Sequence, residues 1–378
     1  MKKILIFSFL LSMVMSCKHS NDTVAYLNKV FENLEKIESA SYVERSIAWN
    51  PGDIVPVYDE YNYVKEINNP NDTTIGASFV NFKKSEQNKL KFAYNGTVRA
   101  MVYDDVKDIV IDDFSNNPFP FRPVTPTFFN YAKNIIQYII TTEDSIVVES
   151  KELDKDYYIK LTINEDSQVE FFGKAYHMPE NPYLFGETTS IYELWISKKN
   201  NIPYQIRREM SHSINAISYS DAVFNELSLD DFNIYEYFPA DYTVSKYQTA
   251  YSKPESDLIG KQAPDWTLTD KDENEISLSD YIDKVVLIQF TGIGCGPCIA
   301  SIPMLKEIEE KFADEKFKLI AIETWIKKTH SLQNYSKRYG FDYSILCGTD
   351  ELIKDYQTGS GVPQFFILDK KHIIKSVI

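Results

Sequence analysis

The sequence predicts a protein of more than one domain, in which a mostly antiparallel β domain precedes an α/β domain. Over residues 26–245, short runs rich in aromatic and β-branched residues alternate with turn-forming residues, as is typical of antiparallel strands. From residue 259 onward, nearly continuous apolar runs alternate with helical stretches, as is typical of strands covered on both faces. A length of 378 residues, 43% of them hydrophobic, is sufficient for two cores.

The amino terminus, residues 1–16, reads as a targeting segment. Two lysines precede an apolar run, residues 4–14, which is too short to span a bilayer. The segment resembles a bacterial lipoprotein signal, in which the next residue, Cys17, becomes the lipidated first residue of the mature protein. The resemblance implies a lipid anchor in the cell envelope facing the periplasm, with the choice of inner or outer membrane open. Ordinary secretion with an incidental Cys17 is the alternative. Residues 17–25 are polar and are expected to form a tether.

The β-rich domain is expected to begin with an amphipathic helix and to continue mainly as strands. Apolar residues at helical spacing run from Leu27 to Ile37 and predict a helix that ends near Ser39, and a second such run extends from Phe128 to Ile139. Asn95-Gly96 between two alternating runs favours a tight two-residue turn. The predicted strands are Tyr42–Trp49, Tyr61–Ile67, Ala77–Phe82, Leu90–Tyr94, Thr97–Tyr103, Asp108–Phe114, Ser145–Ser150, Tyr157–Asn164, Gln168–Phe172, Ile191–Ser197, Tyr204–Met210 and Ile214–Leu227.

No catalytic group of residues is evident in this β-rich domain. His177 and His212 are isolated and are interpreted as surface or packing residues. The segment 192–197, the following Ile202-Pro203 and the closing stretch 224–238 resemble the LolA-like lipoprotein-carrier fold. That resemblance implies a half-barrel of about eleven strands that wraps helices and holds an apolar ligand. The alternative is a β scaffold that only packs against or positions its neighbour.

A polar stretch at residues 246–258 is expected to be a linker to the α/β domain. Two buried strands are predicted at Val285–Phe290 and Phe317–Ile322, and helices follow them at 299–312 and 331–339. Two further strand runs, residues 362–369 and 372–377, close the predicted mixed sheet.

The predicted reactive site is a pair of cysteines, Cys295 and Cys298, placed between the first buried strand and the following helix. Two cysteines at this spacing can close and reopen a small disulfide. Metal sites usually need a second Cys or Cys/His pair, which Cys17 and Cys347 do not supply, so no metal is predicted. Backbone N–H groups and the dipole of the helix favour a thiolate at its first residue. Pro297 suits the first helical turn because its missing N–H costs nothing there.

From residue 259 to 378 the sequence resembles the thioredoxin superfamily, specifically the envelope thiol-disulfide oxidoreductases of the TlpA/ResA type. The matching segments are Gly260–Leu268, Ile276–Tyr281, the Cys pair, Ile302-Pro303, Gly361-Val362-Pro363 and Phe366–Asp369. The resemblance implies a redox disulfide between Cys295 and Cys298, and no cofactor. It also implies that Pro363 is a cis-proline facing the pair and that Val362 offers its backbone to the substrate chain.

Several positions depart from the family pattern. Gly294 stands where the family usually has tryptophan, and Gln289 and Ser301 stand where related proteins carry acids that assist proton transfer. Glu323 can be a substitute acid or a surface acid at a strand end. The sequence given stops at Ile378, before the final covering helix of the family, so one sheet face is expected to be bare or covered by the other domain.

The leading interpretation is an extracytoplasmic, membrane-anchored thiol-disulfide oxidoreductase that reduces protein disulfides and is reduced by an upstream envelope partner. The alternative is a lipid- or partner-binding envelope lipoprotein whose redox domain is secondary or impaired. A peroxidase is disfavoured because the proline- and threonine-bearing loop of peroxiredoxins is absent. The formal net charge of −15 argues against a nucleic acid partner.

Cys347 is interpreted as a buried free thiol or a third redox thiol, and His330 and His372 are interpreted as exposed loop residues.

Overall fold

A computed structural model describes most of the chain, and the described strands form four sheets: one of twelve strands, one of five and two of two strands. The described residues are 21–50, 52–84, 89–116, 122, 124–164, 168–171, 175–178, 189–210, 213–247, 257–312, 316–358 and 361–378. The α-helices in this part of the chain are α1 (Asn21–Glu35), α2 (Phe128–Thr141), α3 (Gly296–Lys311), α4 (Thr329–Tyr339) and α5 (Asp350–Asp355).

The N-terminal region is built on one twelve-stranded sheet. Its strands follow the order β14-β6-β5-β4-β3-β2-β1-β13-β12-β11-β8-β7, and β9 and β10 pair separately. Neighbouring strands run antiparallel, except that β14 lies parallel to β6. The strands are β1 (Ser39–Trp49), β2 (Tyr58–Asn68), β3 (Ala77–Lys83), β4 (Lys89–Tyr94), β5 (Arg99–Tyr103), β6 (Asp108–Asp112), β7 (Ile146–Glu152), β8 (Asp156–Asn164), β9 (Gln168–Phe171), β10 (Ala175–Met178), β11 (Thr189–Ser197), β12 (Ile202–Glu209), β13 (Ile214–Phe224) and β14 (Thr243–Lys246).

Helices α1 and α2 pack on this sheet and supply much of its main core. Leu27, Val30 and Leu34 form the buried stripe of α1, as the helical spacing predicts. The helix nevertheless ends at Glu35 rather than near Ser39, because Ser39 is already paired with Ile67 in the sheet. It also begins at Asn21, inside the segment for which the sequence predicts a tether.

The predicted two-residue turn at Asn95-Gly96 is wrong in length. Strand β4 ends at Tyr94 and β5 begins at Arg99, so four residues connect them, and the Asn95 N–H donates to the Val98 carbonyl at 3.2 Å. The Asn95 side chain accepts hydrogen bonds from the N–H groups of Thr97 and Val98, which stabilises the longer loop. Gly96 keeps a positive φ of 91°, the property that the sequence correctly indicated.

The C-terminal region contains a five-stranded mixed sheet in the order β19-β18-β17-β20-β21. Strands β17, β18 and β19 are parallel, and β20 and β21 run antiparallel to their neighbours, as the sequence predicts. A short hairpin, β15 and β16, precedes this sheet. The strands are β15 (Thr267–Thr269), β16 (Glu275–Ser277), β17 (Val285–Thr291), β18 (Phe317–Glu323), β19 (Ser344–Cys347), β20 (Gln364–Leu368) and β21 (Ile374–Val377).

Both faces of this sheet carry a buried cluster within the C-terminal region, but Phe365 and Ile367 of β20 stay partly exposed on one face, so the expectation of an uncovered face stays a prediction there. Helices α3 and α4 cover one face, where Leu305, Leu332 and Tyr335 are buried. The other face is covered by the segment that contains Trp266 and Leu278 and by α5 with its neighbouring residues, a helix that the sequence reading missed.

Four expectations for the N-terminal region stay predictions. The targeting segment, Cys17 and His212 lie outside the described residues. The twelve-stranded sheet is compatible with a carrier-like half-barrel, but the resemblance to the LolA-like fold stays a prediction. Among the described residues, none of the helices has the length and apolar character needed to cross a bilayer.

Candidate redox site

The Cys pair lies where β17 ends and α3 begins. Cys295 is the N-cap residue of α3, and the backbone N–H of Cys298 donates to the Cys295 sulfur at 3.2 Å. The two side chains form a disulfide with Cα atoms 5.2 Å apart. Cys295 is 4% exposed and Cys298 is fully buried. The helix therefore begins with its unpaired N–H groups directed at the sulfur of the first cysteine.

This geometry favours a thiolate at Cys295 when the pair is reduced. An N-cap side chain that accepts a backbone N–H bond satisfies one of the donors that a helix leaves unpaired at its first turn. A charged sulfur gains more from that bond than a neutral thiol does, and the helix dipole adds to the effect. Pro297 occupies the first turn without removing a needed donor, as predicted.

The loop before β20 lies directly against the first cysteine. The peptide bond between Val362 and Pro363 is cis, as the resemblance implies, and the Val362 carbonyl oxygen is 3.7 Å from the Cys295 sulfur. The structure therefore brings together the four residues that the sequence selected from this domain: Cys295, Cys298, Val362 and Pro363.

The two positions at which related proteins carry acids contact each other. The Gln289 amide donates to the Ser301 hydroxyl at 2.8 Å, and this hydroxyl donates to the Cys298 carbonyl oxygen at 2.6 Å. Gln289 is buried. Neither an amide nor a hydroxyl titrates near neutral pH. This pair therefore holds the backbone of Cys298 in place but cannot exchange a proton with its thiol as a carboxylate would.

Glu323 is fully buried, so its interpretation as a surface acid is wrong. It ends β18, and its carboxylate accepts backbone N–H bonds from Trp325 at 2.9 Å, from Ile326 at 3.0 and 2.9 Å and from Lys327 at 2.6 Å. It also accepts the N–H of Ile293, two residues before Cys295, at 3.2 Å. The carboxylate thus connects the loop after β18 to the loop that carries the Cys pair.

Trp325 is a neighbour of the site that sequence reasoning missed. Its ring lies over Gly292, where a Cβ atom would come within 2.4 Å of it, so Gly292 cannot carry a side chain without displacing the ring. Trp325 is 46% exposed and supplies apolar surface near the loop in which Gly294 stands where the family usually has tryptophan. The contact follows from the parallel pairing of Thr291 with Glu323.

The third cysteine of this domain is a free thiol of intermediate exposure. Cys347 pairs in register with Glu323 in the sheet. Burial, and secondly the nearby Glu323 carboxylate, raise the pKa of the Cys347 thiol to about 11. A thiol with this pKa is protonated at neutral pH and is a poor nucleophile.

Two of the three histidines that the structure describes have polar partners, and the third is exposed. His372 is buried and its Nε2 lies 3.0 Å from the Tyr281 carbonyl oxygen, so its interpretation as an exposed loop residue is wrong. His330 is exposed on α4, and His177 contacts Asp144 at 2.7 Å. Within the described ranges, no group of three or more metal-ligating side chains is found.

A buried disulfide at a helix N-terminus, beside a cis-proline loop on a mixed five-stranded sheet, defines a dithiol oxidoreductase of the thioredoxin-like class. The profile of the AhpC/TSA family matches residues 259–377. A thiol-disulfide oxidoreductase ResA from Geobacillus kaustophilus is 28% identical over 138 residues, which is 36% of this chain and 77% of the relative. Its counterpart from Bacillus cereus is 30% identical over 125 residues, 33% of this chain and 71% of the relative.

The chain belongs to the TlpA/ResA-like thiol-disulfide oxidoreductases of the thioredoxin superfamily. Among solved structures, a thiol:disulfide interchange protein of the thioredoxin family from Chlorobium tepidum is similar, with 23% identity and a TM-score of 0.29. That likeness covers 34% of this chain and 88% of the other. The family assignment concerns the last third of the chain, where the Cys pair lies.

Proposed function

We propose that this protein reduces disulfides of other proteins outside the cytoplasm, with Cys295 as the attacking residue and Cys298 as the resolving residue. The observation that carries the proposal is the contact of the Cys295 sulfur with the first turn of α3 on one side and with the Val362 carbonyl on the other. The first contact favours the thiolate, and the second supplies a backbone group at the point where a substrate chain must lie.

The proposed reaction has two exchange steps. The Cys295 thiolate attacks one sulfur of the substrate disulfide, forms a mixed disulfide and releases the other substrate sulfur as a thiolate. The Cys298 thiolate then attacks the Cys295 sulfur, closes the internal disulfide and releases the second substrate thiolate. Two electrons pass to the substrate, whose thiolates take protons from solvent, and an envelope dithiol must then reduce the Cys295–Cys298 bond.

The direction of the reaction is proposed from the residues between the cysteines. Gly296-Pro297 is also the dipeptide of thioredoxin, a reducing protein with a potential of about −270 mV. Val362 and Pro363 are proposed to bind the substrate backbone next to Cys295. These assignments make the substrate a polypeptide rather than a small disulfide.

A single-turnover assay tests the proposal. Reduced wild-type chain should reduce a protein disulfide, whereas Cys295→Ser should be inactive and Cys298→Ser should accumulate the substrate as a mixed disulfide. Trapped adducts identified by peptide mass spectrometry would name physiological substrates. Wild-type activity no greater than that of the two variants would exclude the reaction.

The proposed location is the cell envelope, with a lipid on Cys17 holding the protein on the periplasmic side of a membrane. The support is the lipoprotein-like signal at residues 1–16. Replacement Cys17→Ala should move the mature protein from the membrane fraction to the soluble fraction of the envelope. An unchanged membrane fraction would exclude the lipid anchor.

A cavity in the N-terminal region supports the second candidate function, binding of an apolar ligand. Its volume is about 510 Å³, within the range of small-molecule sites, and both apolar and charged side chains line it. Burial raises the pKa of Glu44 at its edge, and Arg208 pairs with Glu170 there. The apolar lining includes Val124, Phe171, Ile206 and Ile217. Native mass spectrometry of protein purified from membranes should detect a bound lipid, and its consistent absence would exclude this function.

A further inference from the structure

The loop that joins β1 to β2 in the N-terminal region contacts the C-terminal region through Asp53. The Asp53 carboxylate accepts a hydrogen bond from the Ser331 hydroxyl at 2.9 Å and one from the Asn334 amide at 2.5 Å. Both donors lie in the first two turns of α4, where a negative charge is favoured by the helix dipole. These contacts join residues that are 278 and 281 positions apart in the chain.

The loop is also ordered on its own side. The Asp53 N–H donates to the Asn50 carbonyl at 3.0 Å, and the Asn50 amide donates to the Asp53 carboxylate at 3.1 Å. The Val57 N–H donates to the Ala48 carbonyl at 2.9 Å, which fixes the other end of the loop. Asp53 therefore connects the described part of this loop, Asn50 and residues 52–57, to a helix of the redox domain.

This contact lies next to the Cys pair. Asn50 shares the lining of a small cavity with Ile293 and Gly294, the two residues that immediately precede Cys295, and with Ser331 and Tyr335 of α4. The β1–β2 loop thus packs beside the segment that carries the attacking sulfur. The same segment is bounded by Trp325 over Gly292.

The tip of the loop exposes apolar side chains. Ile54 is 94% exposed and Val55 is 52% exposed, and both directly follow the anchoring Asp53. Trp325, whose ring lies over Gly292 of the active-site segment, is half exposed as well. Apolar side chains that are exposed to water carry an unfavourable free energy, which binding to an apolar partner removes. Aromatic and apolar residues also supply much of the binding free energy of protein interfaces.

We propose that the β1–β2 loop, held by Asp53, forms one wall of the substrate-binding surface at the Cys pair. Its partner is a polypeptide that carries apolar side chains next to its disulfide. Ile54, Val55 and Trp325 contact those side chains, while Val362 meets the backbone. The proposal rests on the disulfide reduction proposed above and makes the N-terminal region a determinant of its specificity.

The experiment compares three disulfides as substrates of the pre-reduced full-length chain. Two are synthetic peptides of equal length with one internal disulfide, whose cysteines are flanked by leucines in one and by serines in the other. The third is the small aromatic disulfide dithiobis(nitrobenzoate). Second-order rate constants are measured in single turnover for wild type, for the double variant Ile54→Ser/Val55→Ser and for Asp53→Ala.

Wild type should reduce the leucine peptide about fivefold faster than the serine peptide, as expected when one or two apolar side chains contribute to an interface. The double variant should lose this preference, because its loop no longer offers apolar side chains to the leucine peptide. A second measurement uses steady-state turnover with an added dithiol as the reductant. Under these conditions Asp53→Ala should raise KM for the leucine peptide and leave kcat unchanged, because the loop is no longer held beside the Cys pair.

Two surface variants serve as controls. Ile282→Ser removes an exposed isoleucine, 58% exposed, at the opposite end of β17 from the Cys pair, and Val244→Ser removes an exposed valine from β14. Both should keep the preference for the leucine peptide.

A preference that persists in the double variant, or that is absent in wild type, overturns the role of the loop and leaves disulfide reduction intact. Equal losses on all three substrates would show that the loop only maintains structure and would also overturn the proposed role. A wild-type chain that reduces none of the three overturns both proposals.

Discussion

Two loops of this molecule are each held by one carboxylate that accepts the backbone N–H groups of the residues following it. They differ in which other part of the structure that carboxylate contacts. In the N-terminal region, the Asp72 carboxylate accepts N–H bonds from Thr74, Ile75 and Gly76 at 2.9–3.0 Å, as well as the Tyr94 hydroxyl at 2.7 Å. In the C-terminal region, Glu323 accepts the N–H groups of the residues that follow it in the same way.

Each carboxylate also accepts one bond from a distant residue. Asp72 accepts the hydroxyl of Tyr94, a residue of β4 in the same sheet, whereas Glu323 accepts the N–H of Ile293, thirty residues earlier, in the segment that precedes Cys295. A buried carboxylate that accepts hydrogen bonds from backbone N–H groups therefore does not by itself indicate a functional site. The connection to a reactive residue distinguishes the second loop from the first.

The largest expected effect is that of Glu323→Ala. Its backbone donors would lose their acceptor. The Ile293 N–H is buried and those of residues 325–327 are partly buried; a buried unpaired group costs about 1–3 kcal/mol, so we expect a loss of about 3 kcal/mol in unfolding free energy. The rate of disulfide exchange should fall as well, because the Ile293 N–H no longer fixes the loop before Cys295. Urea unfolding and single-turnover exchange measure the two effects.

Asp72→Ala is the matched comparison for this variant. It should lower the stability of the N-terminal region by about 2 kcal/mol for the same physical reason. Its rate on the small aromatic disulfide should equal that of wild type. If both variants reduced that rate equally, the distinction drawn between the two loops would be wrong.

A comparable effect on stability, but one that depends on pH, is expected from Glu66, a third buried carboxylate, which accepts a hydrogen bond from the Tyr42 hydroxyl. Burial raises the pKa of Glu66 from its ordinary 4.5 to about 7, and the hydrogen bond from Tyr42 only partly opposes this. The folded state therefore holds a proton that the unfolded state has released between these pH values. Stability should fall by about 3 kcal/mol as the pH rises from 4.5 to 7 and should not fall further from this source above 7.

Pulse proteolysis in urea, following peptides from β1 and β2, measures this pH dependence. Glu66→Gln stays neutral and should flatten the curve between pH 5 and 7. Glu32→Gln, at an exposed position on α1, should leave it unchanged. A wild-type curve that rises over this interval would contradict the shifted pKa of Glu66.

Gln289→Glu tests whether the site lacks a titrating partner for Cys298. Position 289 is buried, so the introduced carboxyl should have a raised pKa, and it would lie next to Ser301 beneath the second thiol. The pH profile of mixed-disulfide resolution should gain a second ionisation between about pH 5 and 8, and the rate at pH 7 should rise about tenfold, less than the roughly hundredfold of a well-positioned acid or base. An unchanged profile would show that proton transfer at Cys298 does not limit resolution.

The parts of the site that could be predicted from sequence are those set by local structure. Cys295 as a helix N-cap and Pro297 in the first turn follow from a few neighbouring residues. The cis bond before Pro363 followed from the family resemblance. Glu323 and Trp325 could not be placed because their contacts depend on how β18 pairs with β17, which brings Thr291 opposite Glu323. A strand-end acid looks the same in sequence whether it is solvated or buried.

The N-terminal region was less predictable for a related reason. Alternating patterns indicated many of its strands, but strand order and the pairing of β14 with β6 depend on contacts between residues more than a hundred positions apart. The Asp53 contact with α4 spans both regions and has no local signal at all. Loop length was misjudged at Asn95 because its side chain stabilises a four-residue connection that the Asn-Gly pair alone does not specify.

The smallest expected effect is that of Cys347→Ala, which separates the Cys pair from the third thiol of the same domain. With the pKa of Cys347 raised to about 11, only about one thiol in ten thousand is ionised at pH 7. Disulfide exchange by this variant should stay within about twofold of wild type, because a protonated thiol does not attack a disulfide. In the reduced wild-type chain, iodoacetamide at pH 7 should modify Cys295 far faster than Cys347, as peptide mass spectrometry can measure. Comparable modification rates would instead assign Cys347 to the redox chemistry. The redox site would then include Cys347 of β19, next to Glu323, in addition to the Cys pair at the start of α3.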